Sequence, residues 1–121
     1  TPASTPSFSC RVSGVHDGDT LRCADGTRVR LHAVAARESD ETCSKGHPCP
    51  TASGAAARLE LVKLAENQIL VCRRTGRSYD RVTAICANES GVEINCAMVR
   101  SGTALIWDRY HRREPLCRAR S

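Results

Sequence analysis

Long apolar runs are missing from this 121-residue chain. None is long enough to span a bilayer or to form the core of a signal peptide, so no membrane segment is expected, and an exported protein would be present in its mature form. Aromatic side chains are scarce as well. With one Trp, two Tyr and one Phe, a core has to be built from aliphatic residues and cross-links. An acidic excess is also lacking: 18 Lys and Arg against 13 Asp and Glu give a formal charge of +5 and a pI near 8.9. A polyanion is therefore a more natural partner than a polycation, although such a balance also serves plain solubility. Zinc-type spacing is nearly absent, since only Cys43 and Cys49, with His47 between them, form a close pair.

Eight cysteines are the strongest compositional feature present. At this density in a short chain they indicate disulfides and an oxidising compartment, either secreted or periplasmic, over a zinc site. The length suits one domain, spanning 8–121, after a polar leader at 1–7 that contains Pro and Ser.

Candidate chemistry concentrates between Val15 and Glu38. Asp17-Gly18-Asp19-Thr20 reads as a tight acidic turn, with Gly18 free to be left-handed and Asp19 projecting a carboxylate. Asp25-Gly26 is a two-residue hairpin signal that joins Leu21–Cys23 to a strand over Thr27–Val34. With a first strand over Phe8–His16, these segments make a three-stranded meander. Arg30 lies opposite in parity to Leu31, so one hairpin holds a carboxylate and a guanidinium together, with Glu38 a few residues on. His32 shares the parity of Arg30 and reads as a packed or surface histidine before a ligand.

The stretch from Ala35 to Pro50 reads as a long surface loop. Thr51–Asn67 is the clearest helix, capped by Thr51 or Ser53, with Ala55, Leu59, Leu61, Val62 and Ala65 as its apolar stripe. Two further strands, Ile69–Cys72 and Arg81–Ala87, flank a basic loop carrying Arg73, Arg74 and Arg77, which can be a solvated loop or can meet phosphates. Asn95 is placed as the N-cap of a short helix over Cys96–Ser101, ended by Gly102, and Pro115 is placed at the start of a last helix. Five strands, with a helix inserted after the third and helical ends, suit a mainly β fold with helices: a five-stranded OB-type barrel with about three helices. Order alone leaves other α+β folds open.

Four segments together resemble the staphylococcal-nuclease (thermonuclease) family: VHDGDTL at Val15–Leu21, VRLHAVAARE at Val29–Glu38, SYDRVTA at Ser78–Ala84 and INCAMVRSGTALIWDRY at Ile94–Tyr110. They stand in the family's order and spacing across most of the chain. The resemblance implies an OB barrel and, in active members, a calcium-dependent phosphodiesterase that cuts DNA and RNA. Position by position, it implies Asp19 as a metal-ligating carboxylate, Glu38 as the group that activates water, and Arg30 and Arg81 as the guanidiniums on the phosphate. Tyr79 and Tyr110 fall where substrate-binding aromatics lie, and Trp107 falls at a packing position. These residue types suit the chemistry, because hard cations take oxygen ligands and arginine forks match phosphate oxygens.

One departure weakens that reading. Ala35 stands where the family places a second metal-ligating aspartate, and Arg37 where it places a proline. A methyl group cannot coordinate calcium. Asp17, Asp40 or Glu41 could compensate from the turn or the loop. The barrel register that the resemblance supplies also implies a sequential disulfide pairing: Cys10–Cys23, Cys43–Cys49, Cys72–Cys86 and Cys96–Cys117. The expected function is a weakened, secreted, metal-dependent nuclease acting as a monomer. The alternatives are a degenerate barrel that binds nucleic acid or another polyanion without cutting it, and a secreted protein-interaction module.

Overall fold

A computed structural model describes residues 7–117. Five strands close into a barrel in the order β1-β2-β3-β6-β5: β1 Ser7–Asp17, β2 Thr20–Cys23, β3 Arg28–Leu31, β5 Ile69–Ser78 and β6 Arg81–Ala87. All pairings are antiparallel except β3 with β6, which is parallel. A short ribbon of β4 Val34–Ala35 and β7 Leu105–Ile106 lies beside the barrel, and three helices complete the fold: α1 Gly54–Ala65, α2 Ile94–Arg100 and α3 Asp108–His111. The result is the OB-like, mainly β architecture expected from the order of elements. Leu21, Val29, Leu31, Leu61, Leu70, Ile94 and Met98 fill the core, with no aromatic ring among the fully buried residues.

Cross-links replace part of the missing aromatic volume. The four disulfides are the expected sequential ones, Cys10–Cys23, Cys43–Cys49, Cys72–Cys86 and Cys96–Cys117, and no described cysteine is free. Cys72 and Cys86 face one another on β5 and β6 and are fully buried. This set fits an oxidising environment. Among the described residues, no helix is long and apolar enough to cross a membrane.

Several sequence expectations need correction. The basic segment Arg73–Ser78 is not a loop but the second half of β5, paired with β6 as far as Ser78↔Arg81. Only Tyr79 and Asp80 remain to turn the chain, and a register shift at Thr75 absorbs the change of phase. The third strand stops at Leu31, because Ala33 adopts φ 62° and kinks the chain into β4. Helix α1 begins at Gly54, where Ser53 Oγ accepts the Ala56 N–H, and its buried stripe is Ala57, Leu61 and Ala65; Leu59 is exposed. Asn95 lies inside α2, not at its cap. The last helix precedes Pro115 and does not begin there. Ser7, assigned to the leader, belongs to β1, and the rest of that leader lies outside the described residues.

The first strand explains how acidic residues enter the interior. Cys10 and Val12 point inward, but register shifts between Val12 and Gly14 and between Val15 and Asp17 change the phase of β1. Val15 and Asp17 are therefore the buried residues at its far end.

Candidate functional site

The turn that leaves β1 is held by close packing. A Cβ on Gly18 would lie 2.5 Å from Ala57 Cβ and 2.8 Å from Ala36 Cβ, so this glycine is required for space; its φ is not positive, contrary to the sequence expectation. One turn earlier on α1, a Cβ on Gly54 would lie 2.3 Å from the carbonyl oxygen of Glu38. The start of α1 therefore seats the backbone of Glu38 directly, and two glycine contacts fix the acidic turn and Glu38 against one helix.

Asp19 is buried and already engaged. Its Oδ1 accepts from Thr20 Oγ1 at 3.0 Å, its Oδ2 accepts from the Ala36 N–H at 3.2 Å, and Arg30 Nη2 stands 3.6 Å away. Arg30 is itself buried and donates from Nη1 to the carbonyls of Leu31 (2.8 Å) and Val34 (2.7 Å), the second made available by the kink at Ala33. Asp17 lies next to this pair. Burial, then the charge of Asp19, then a hydrogen bond shared with it push the Asp17 carboxyl up from its ordinary 3.8 to about 7.

This donor set does not suit calcium. A hard cation of that size takes about six to eight oxygen ligands. Ala35, at the second ligand position, is buried and offers only a methyl group. Asp17, its carboxyl pushed up to about 7, is a poorer anionic ligand than an ordinary carboxylate, and both oxygens of Asp19 accept hydrogen bonds. The possible substitutes lie elsewhere: Asp40 accepts from Thr42, and Glu41 caps α1 through the Gly54 and Ala55 N–H groups. Arg37 holds the loop by donating to the carbonyls of Pro50 and Glu41. A cluster of Glu93, Cys96 and Cys117 lies within ligating distance of itself, but both of its sulfurs are spent in a disulfide.

A cleft of about 570 Å³ opens beyond Arg30, lined by Arg81, His47, Trp107, Tyr110 and Tyr79 among others. The sequence-derived residues Arg30, Arg81, Tyr79 and Tyr110 meet here. Arg81 makes only long contacts, to Thr20 Oγ1 at 3.5 Å and Ser78 Oγ at 3.3 Å, and lines this cleft and a neighbouring hollow beside β2. Tyr79 is 92% exposed at the mouth. Trp107, anchored by its N–H to the Ala33 carbonyl at 2.8 Å, packs edge-on to Tyr110 at 4.9 Å and lies under the Arg30 guanidinium at 5.9 Å. Asp19 and Glu38 do not line the cleft but lie behind Arg30 and beside the loop that follows β4.

Sequence reasoning missed the contribution of that loop. The Cys43–Cys49 disulfide bends it over the cleft, where Ser44 Oγ donates to Glu38 Oε2 and the His47 ring packs on Trp107 with centroids 4.3 Å apart. The available signal was the short cysteine span itself, which can hold its contents only in a tight arch. His32, by contrast, is structural. Its Nε2 lies 3.1 Å from the carbonyls of both Tyr110 and Glu114, so this nitrogen carries the proton, and Nδ1 accepts from Thr75 Oγ1 at 2.9 Å. Burial holds its pKa below the usual value, in keeping with a neutral ring.

No family model matches the chain, and no curated protein matches it.

Proposed function

We propose that this cleft takes the phosphodiester backbone of single-stranded DNA or RNA and hydrolyses it slowly, as an exported protein of staphylococcal-nuclease type. One observation carries the reading: two guanidiniums from separate strands, Arg30 and Arg81, line one hollow walled by aromatic rings, and Glu38, outside that lining, is hydrogen-bonded to Ser44 within it. Arginine forks in this arrangement match the equatorial oxygens of a phosphodiester and counter the charge that grows there during attack. Tyr79 and Tyr110 offer faces for bases, which tolerate sequence. Glu38 takes the proton of the attacking water once Ser44 yields its place.

A second reading, binding of nucleic acid or another polyanion without hydrolysis, has its own support. Ala35 withholds a carboxylate, and Asp19 is neutralised by Arg30. The third expectation, a protein-interaction module, has no feature of this cleft in its favour.

Digestion of single-stranded DNA and RNA, with and without calcium, separates the first two readings. Native protein should cleave slowly, and Glu38→Gln should abolish cleavage while leaving binding intact. Absence of cleavage by native protein, with gain of cleavage by Ala35→Asp in calcium, contradicts the hydrolytic reading in favour of the binding one.

A further inference from the structure

The arch closed by Cys43–Cys49 carries the one imidazole in the cleft that no structural role consumes. His32 and His47 both line this hollow, but they differ completely in their bonding. Both ring nitrogens of His32 have partners. Among the described residues, neither ring nitrogen of His47 has one; its ring packs on Trp107 at 4.3 Å with the planes tilted by 49°. Trp107 thus holds two groups in place, since the guanidinium of Arg30 lies over the same ring system at 5.9 Å. Ser44 of the same arch bonds Glu38, so the disulfide loop ties a carboxylate and an imidazole to one rigid seven-residue ring from Cys43 to Cys49.

We propose that His47 is a catalytic residue of this cleft, the general acid of a phosphodiester cleavage that needs no metal ion, with Glu38 as its complementary base. The inference rests on the hydrolytic reading above and deepens it. The atoms balance without a further reactant. Water attacks phosphorus and gives its proton to the Glu38 carboxylate; the bond from phosphorus to the leaving oxygen breaks, and that oxygen takes the proton from the His47 imidazolium. Exchange with solvent returns Glu38 to its anion and His47 to its cation. Arg30 and Arg81 bear the charge on the equatorial oxygens throughout, a task that falls to them because the donor set around Asp19 does not suit calcium.

The surroundings set the pH range. The charged groups around His47 are Arg30 on β3, Arg81 on β6, Asp19 in the turn before β2, and Glu38 and Lys45 in the loop, with Arg77 on β5, Tyr110 on α3 and Arg113 and Glu114 after it on the same cleft wall. Burial, and next the Arg30 charge, hold the ring below its usual pKa; Asp19 and Glu38 oppose this. A phosphate anion in the cleft favours the imidazolium further. Cleavage is therefore expected to fall as pH rises above the mildly acid range, as the acid form of His47 is lost.

The test is steady-state cleavage of a fluorescent single-stranded RNA or DNA oligonucleotide in excess chelator from pH 4.5 to 8.5. Native protein is compared with His47→Gln and His47→Ala, and affinity for the same oligonucleotide is followed by anisotropy. The expected result is cleavage by native protein in chelator and a loss of about 10²–10⁴-fold in kcat for His47→Gln. Affinity should stay within about threefold, the alkaline fall of the pH profile should disappear, and added imidazole should partly restore His47→Ala. Full activity of His47→Gln, a loss explained by affinity alone, or cleavage that requires a divalent cation overturns the role of His47 while leaving a phosphodiesterase in place. Absence of cleavage by native protein under every condition, with binding retained, overturns the hydrolytic reading and this inference with it.

Discussion

Two polar regions flank the parallel seam between β3 and β6, and their hydrogen bonds are arranged oppositely. On the sealed side, Asn95 is fully buried yet fully used: its Oδ1 accepts from the Cys86 N–H at 3.0 Å, and its Nδ2 donates to the carbonyls of His32 (3.1 Å) and Ala84 (3.0 Å). Where this network reaches the wall of the cleft, the His32 ring bonds Thr75 on β5, which in turn bonds Thr83 on β6. On the open side, Arg81 has only long contacts, and the ring nitrogens of His47 have no partner among the described residues. A buried polar group without a partner costs stability, so a fold keeps spare donors only where water or a ligand can satisfy them. The difference separates the part of the chain that holds the barrel together from the part whose donors are left to water or a ligand.

Replacing Asn95 breaks the sealed side most severely. Asn95→Ala leaves the Cys86 N–H and the His32 carbonyl without these partners, while the Ala84 carbonyl keeps the His32 N–H at 2.9 Å, so a loss of about 3 kcal/mol is expected in urea unfolding. Equal stability of the variant would mean that the network is incidental.

The disulfides sharpen the same contrast. Removing Cys72–Cys86 with a double serine variant should cost about 3 kcal/mol, and removing Cys43–Cys49 about 2 kcal/mol, on chain entropy alone. The functional order is reversed: the folded Cys43–Cys49 variant should lose oligonucleotide cleavage, because its arch no longer holds His47 on Trp107, whereas the Cys72–Cys86 variant keeps it. Thermal melts and cleavage rates measured together on both variants check this.

Asp17 lies between the two regimes. Its folded pKa of about 7 exceeds its ordinary 3.8, so the folded protein binds a proton more tightly than the unfolded chain does. The associated penalty is absent below about pH 3.8, grows as pH rises, and is complete above about pH 7. Asp17→Asn keeps an oxygen for the Asp19 N–H and should stabilise the protein by about 2 kcal/mol at pH 8 and hardly at all near pH 4. A pH-independent effect would place Asp17 among ordinary surface carboxylates. The smallest effect belongs to the ion pair of Arg28 with Asp80, where both side chains are exposed. Arg28→Gln should move stability by no more than about 0.5 kcal/mol.

The barrel was legible because its signals are local and mutually consistent: Asp25-Gly26 turns β2 into β3, Ser53 caps α1, and Gly102 at φ 83° follows α2. Two of the disulfides, Cys10–Cys23 and Cys72–Cys86, join neighbouring strands of the barrel that the resemblance implies, whereas Cys43–Cys49 closes a loop and Cys96–Cys117 ties α2 to the segment after α3. The basic half of β5 was misread because arginines on a strand look like a loop when their pairing partner is not known. Burial of Asp17 depends on a register shift in β1 that composition does not reveal. The place of His47 could not be read at all, since it follows from where a closed loop rests on Trp107, a contact spanning sixty positions of sequence.

The central claim, that the open side is a phosphate cleft, is tested most directly by anisotropy titrations of a labelled single-stranded oligonucleotide at several salt concentrations, with native protein and with Arg81→Gln. The logarithm of the binding constant should fall linearly with the logarithm of salt concentration, and Arg81→Gln should weaken binding and reduce the slope by about one. Binding that ignores salt, or a slope and affinity unchanged by Arg81→Gln, would contradict it.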